Sequence, residues 1–147
     1  MFTSLLSPDA LEFELPPDGA DAVITRVAQR LAGHPDVLDF PHFLKELQAR
    51  ERLTSTALGH GIAIPHARTT CVRQIVMAAG RSWEGVWFES SQQKIHLLFV
   101  IGVPPHMVWE YIGILSQLTR RLKDAGVRET LLQAASPEAF LAALDLK

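Results

Sequence analysis

Cysteine is nearly missing from this chain, with Cys71 its single representative. One thiol excludes an intramolecular disulfide and any multi-cysteine metal knuckle, and it fits a reducing compartment. Long apolar runs are missing as well, and none approaches the roughly 20 residues that a bilayer-spanning helix needs. Lysine is scarce, four residues against ten arginines, and 14 basic residues face 16 acidic ones for a formal charge of −2. That balance excludes the whole-domain basic field that gathers nucleic acid or anionic membrane. The bias toward arginine still matters, because a guanidinium fork recognises anions in a way that an ammonium does not. Met1-Phe2-Thr3-Ser4 offers neither a basic leader region nor a small-residue cleavage site, so no secretory signal is expected. A cytoplasmic protein without nucleic-acid binding or membrane insertion is the expectation.

What is present is ordinary globular material. With 48% hydrophobic and 20% charged residues in a chain of 147, disorder is excluded and a single domain, residues 1–147, is expected. No internal repeat, low-complexity tract or linker divides it. The first twenty residues read as irregular, punctuated by Pro8, Pro16 and Pro17. Val23, Ile24, Val27 and Leu31 predict a helix from Asp21 to Leu31, closed by Gly33. Asp39 as N-cap with Pro41 in the first turn predicts a second helix, with Phe40, Phe43, Leu44 and Leu47 inward, ending near Arg52.

From there the period shortens. Gly61 to Pro65 reads as a short strand and Ile75 to Ala79 as another, with Val86-Trp87-Phe88 a weaker candidate. Ile95 to Val103 is nearly continuous apolar, as in a strand buried on both faces. After Pro104-Pro105 comes a long helix with Tyr111, Leu115, Leu118 and Leu122 on its apolar stripe. Ser136-Pro137 opens a last helix over about 137–145. Helices, then strands, then helices predict an α/β architecture in layers.

Six histidines are present, and a single one is ordinarily a surface or core residue. His66 differs in following Pro65 at the expected carboxyl end of a strand, where ligand crevices of α/β sheets form. Pro65 stiffens the backbone that presents it. Upstream lie Arg50, Arg52, Ser55 and Thr56. An imidazole with a guanidinium and hydroxyls nearby is equipment for carrying a phosphoryl group: neutral nitrogen attacks, and the donors hold the equatorial oxygens. A zinc shared by His60 and His66 requires a broken strand, since an unbroken one holds them some 20 Å apart at about 3.3 Å per residue. Cys71 has Arg68 and Arg73 close in sequence, which would lower its pKa if they met it in space, although a lone loop cysteine is commonly incidental.

Arg50-Glu51, Ser55-Thr56 and Gly59-His60-Gly61-Ile62-Ala63-Ile64-Pro65-His66 together resemble the signature of type-2 EIIA domains. These are the fructose, mannitol and nitrogen-regulatory EIIA components of the bacterial phosphoenolpyruvate-dependent phosphotransferase system. The likeness continues through Leu97-Leu98-Phe99 and Val103-Pro104 to Leu115-Ser116, Leu118 and Arg120, and length makes the chain most like the free-standing nitrogen-regulatory members. The resemblance implies an α/β fold with a mixed central sheet sandwiched between helices. It implies that His66 accepts a phosphoryl group from a histidine phosphocarrier protein, that Arg50 faces the phosphohistidine, and that Ser55 and Thr56 lie on the active-site loop. An EIIB-type acceptor or a regulated protein would be the onward partner, with no metal or organic cofactor.

Three positions depart from the family pattern. Ala57 stands for a usual Gly and His60 for a usual Asn. Tyr111 falls where the family has its second active-site histidine; a phenol can donate one hydrogen bond but carries no imidazolium charge at neutral pH. Tyr111 is open to two readings, a phosphoryl contact or plain packing on the helix's apolar stripe. The alternative function is accordingly a degenerate EIIA scaffold that binds partners without phosphotransfer.

Overall fold

Residues 5–145 are described by the computed structural model. The fold is α/β, with a six-stranded mixed sheet in the order β1 (Leu11–Glu12), β5 (Val76–Phe88), β6 (Gln93–Val103), β3 (Ile62–Ala63) and β2 (Ala57–Gly59). The short strand β4 (His66–Arg68) also pairs with β6, beyond β3 along the same edge. β1, β3 and β4 run parallel to their partners, whereas β5 with β6 and β2 with β3 are antiparallel. β6 is the hub, and Ile95 and Leu97 to Val103 are all buried along it. This is why that segment reads as continuous rather than alternating hydrophobicity.

Helices pack on this sheet. α1 (Ala20–Ala28), prolonged by a 3-10 turn to Leu31, lies against β5 and β6, and α2 (Phe40–Leu53) lies against β4. α3 (Val108–Leu122) follows β6 through a 3-10 turn over Pro105–Met107. α4 (Ala125–Gln133) and α5 (Pro137–Asp145) complete the chain, α4 against β5. Phe43, Phe88, Phe99 and Phe140 fill the core. No helix among the described residues is long and apolar enough to cross a membrane.

Several expectations are corrected here. The first twenty residues are not wholly irregular: a 3-10 turn at Pro8–Ala10 leads into β1, whose Leu11 pairs with Ala79. The two candidates around Ile75 and Val86 are one strand, interrupted by a bulge between Arg81 and Val86. The expected strand over Gly61 to Pro65 stops at Ala63, and His66 opens β4 rather than closing its predecessor. The reason is local: Pro65 has no N–H to give to a ladder, and its carbonyl instead accepts from Ile101 N at 3.0 Å.

Candidate functional site

β4 places His66 opposite Ile101, near the carboxyl end of the central strand β6. Its Nδ1 lies 2.9 Å from the carbonyl oxygen of Ile64. A carbonyl only accepts, so in the neutral imidazole this contact puts the ring proton on Nδ1 and the lone pair on Nε2. The residue that carries this carbonyl is itself held from α2. Buried Glu51 accepts from Thr56 Oγ1 at 2.7 Å and from Thr56 N at 3.3 Å. The Thr56 carbonyl accepts from Ile64 N at 3.2 Å. A chain of hydrogen bonds thus runs from helix α2 through the loop to the imidazole.

His66 opens on a cleft of about 570 Å³ walled by Glu46, Arg50 and Leu53 from α2, Arg68 from β4, and Tyr111 and Ile112 from α3. Arg50 is partly exposed and donates from Nη1 to Thr54 O at 3.0 Å, at the end of its own helix. The rings of His66 and Tyr111 face each other with centroids 5.5 Å apart at 35°. The Tyr111 hydroxyl is buried and finds no hydrogen-bond partner among the described residues. Burial pushes its phenol above the ordinary value, with the Arg50 charge opposing that rise. It is therefore a protonated, neutral donor at physiological pH.

Of the residues anticipated from sequence, the cleft gathers His66, Arg50 and Tyr111. Ser55, Thr56 and His60 do not line it. Ser55 Oγ accepts from Ala57 N at 3.1 Å and shapes the loop. His60 is exposed at the β2–β3 turn with φ of 56°, between Gly59 at 92° and Gly61 at 77°. Three left-handed residues in succession explain why a residue like Asn suits position 60. Ala57 begins β2 and is not among the positive-φ residues, so the extra methyl meets no backbone penalty.

Sequence reading passed over Arg68, which brings a second cation to the cleft. Its signal was available: two residues beyond His66 in an extended segment, it shares that residue's face. Cys71 is corrected. It is buried, and its thiol is pushed up by desolvation, with Glu46 and Asp39 adding to the rise. Arg73 turns away to Asp36 and the Pro35 carbonyl.

The family model for the phosphoenolpyruvate-dependent sugar phosphotransferase system, EIIA 2, matches residues 4–147. The chain is 32% identical over 151 residues to the 2-O-alpha-mannosyl-D-glycerate-specific EIIABC component of Escherichia coli K12, covering 99% of this chain and 22% of that protein. It is 35% identical over 137 residues to the fructose-specific EIIA component of Haloferax volcanii, covering 92% and 89% respectively. Among solved structures, the nitrogen regulatory protein IIA-Ntr of Neisseria meningitidis has a TM-score of 0.88 at 28% identity, over 97% of this chain and 98% of that one. The chain spans about a fifth of the first relative and most of the other two.

Proposed function

The chain belongs to the EIIA 2 family of the phosphoenolpyruvate-dependent sugar phosphotransferase system, and from that premise we propose that His66 is its phosphoryl acceptor, loaded by a histidine phosphocarrier protein. The observation that carries this reading is the 2.9 Å contact from His66 Nδ1 to the Ile64 carbonyl. In the neutral ring it leaves the Nε2 lone pair for the cleft that Arg50 and Arg68 also line. In the transfer, Nε2 donates its lone pair to phosphorus while the nitrogen–phosphorus bond of the donor phosphohistidine breaks and its electron pair returns to the donor imidazole. The proton on His66 Nδ1 stays against Ile64. Arg50 and Arg68 balance charge on the equatorial oxygens, a form of stabilisation in which charge-assisted hydrogen bonds are about twice as strong as neutral ones. Onward, the group passes to an EIIB-type acceptor, or the phosphorylated and free forms bind a regulated partner in the cytoplasm.

Intact mass after incubation with phosphoenolpyruvate, enzyme I and a phosphocarrier tests this. The wild-type chain should gain one phosphoryl group, and His66→Ala should gain none. Full labelling of His66→Ala would refute the assignment. A second reading, a module that binds partners without being phosphorylated, draws on the neutral, unpartnered phenol of Tyr111; absence of labelling in the wild-type chain would favour it.

A further inference from the structure

A different cluster lies beside Glu46, outside the cleft that His66 lines. Asp39 caps α2, its Oδ1 accepting from His42 N at 3.1 Å, and His42 stands in the first turn. The loop after β4 brings Cys71 to the same place, and one donor atom from each of the three lies within 4.8 Å of the other two. Tetrahedral bonds of about 2.0–2.3 Å put donor atoms about 3.3–3.8 Å apart. Closing onto an ion therefore needs about 1 Å of movement, which the exposed side chains of Asp39 and His42 can supply while buried Cys71 stays fixed.

We propose that Asp39, His42 and Cys71 form a zinc(II) site that ties the start of α2 to the loop after β4. The donor set is one sulfur, one imidazole nitrogen and one carboxylate oxygen. That mixture suits zinc, whereas magnesium and calcium take oxygen alone. Exposure of Asp39 and His42 leaves the fourth position to water.

The surroundings fit such a centre. Glu46 Oε1 lies 3.5 Å from both His42 Nε2 and Cys71 Sγ, and it accepts from Thr69 Oγ1 at 2.6 Å. Thr69 Oγ1 in turn accepts from Cys71 N at 3.0 Å. Such outer partners orient metal ligands and hold the loop that carries them. Asp39 and Glu46 bring two carboxylates beside the thiol, and Lys45 is the cation that shares their cleft of about 480 Å³. On binding, the Cys71 S–H bond breaks, a sulfur–zinc bond forms, and the proton leaves to solvent without any change in oxidation state. Glu46 lines the His66 cleft as well. Zinc would therefore stiffen the two elements that carry Arg50 and His66.

The test is calorimetric titration of zinc chloride into the EDTA-stripped 147-residue chain, followed by cobalt(II) as a spectroscopic probe. One equivalent should bind with proton release and a raised Tm, and the cobalt form should show a near-ultraviolet thiolate-to-metal charge-transfer band. Asp39→Asn retains the helix cap, because Asn caps as well as Asp, and His42→Ala removes an exposed side chain. Each should weaken zinc binding by at least about 10-fold while the metal-free Tm stays within a few degrees. Cys71→Ser should lose the charge-transfer band, and His66→Ala should bind zinc as the wild type does. The site is overturned if cobalt gives no thiolate band in the wild-type protein. It is equally overturned if binding survives both Asp39→Asn and His42→Ala, or disappears in His66→Ala.

Discussion

Tyr111 is the residue at which chemistry and packing compete. A buried hydroxyl without a partner costs about 1–3 kcal/mol, so its removal should not weaken the resting protein. Tyr111→Phe is expected to raise Tm slightly while shortening the lifetime of phosphorylated His66, read by loss of acid-labile phosphate. A fall in Tm would mean that the hydroxyl has a partner after all. Tyr111→His restores a group able to carry charge, and losing one such group typically costs about 100–1,000-fold in rate. Transfer from His66 to an EIIB-type acceptor should therefore speed up in Tyr111→His. If it does not, and Tyr111→Phe alters stability alone, the ring is a wall of the cleft and nothing more. Arg50 poses the reverse case. Among the described residues its side chain makes one hydrogen bond, to the exposed Thr54 carbonyl, which water can replace. Arg50→Ala should leave Tm within a few degrees and slow phosphorylation of His66 by about 100-fold or more. Wild-type rates in a well-folded Arg50→Ala protein would remove Arg50 from the mechanism.

Among elements, α2 governs the site more than its sequence suggests, because it supplies both the cation Arg50 and the buried anchor Glu51. Glu51→Ala strands Thr56 Oγ1 and N without their acceptor, a loss of about 1–3 kcal/mol. It should also loosen Ile64, whose N–H the Thr56 carbonyl holds and whose own carbonyl meets His66 Nδ1. The expected result is a lower denaturation midpoint with an unchanged m-value, together with slower phosphorylation. If stability falls but phosphorylation does not, the relay from α2 to the imidazole is structural only. Elements with strong local punctuation were legible in the chain itself. Asp39 does cap α2, and Ser136 Oγ does accept from Ala139 N at 3.1 Å as α5 begins. What escaped lacks such signals. β1 is two residues long and owes its existence to pairing with β5 far along the chain. α4 is the exception, since Asp124 caps it by accepting from Gly126 N and Val127 N directly after α3 ends, a local signal that was present in the sequence. The break between β3 and β4 was hidden because Ile62 to Ala67 is apolar throughout except for His66.

On the scale of the whole molecule, the site depends on where β6 delivers the chain. The segment from Arg50 to His66 is contiguous enough to be read locally. Tyr111 joins it because β4 lies along the last residues of β6 and α3 follows that strand through the 3-10 turn at Pro105–Met107. Tertiary placement of this kind has no local signature, which is why Tyr111 stayed ambiguous in sequence. The same topology leaves apolar side chains exposed around the cleft. Trp109 is 83% exposed and Leu53 80%, and Ile112 shares a helical face with Trp109 at a spacing of three. A carrier that passes a phosphoryl group between proteins must bind its donor only briefly, and large exposed aromatics are the residues on which such binding energy concentrates. A hot-spot tryptophan contributes about 2 kcal/mol or more, equivalent to about 30-fold in affinity. Trp109→Ala should therefore raise the KM for the phosphorylated phosphocarrier by about that factor. The maximal rate and the hydrolytic lifetime of phosphorylated His66 should hold, since Trp109 does not line the cleft. A change in lifetime with KM unaltered would place Trp109 in the chemistry rather than at the docking face. No change in either would put donor recognition on another surface of the protein.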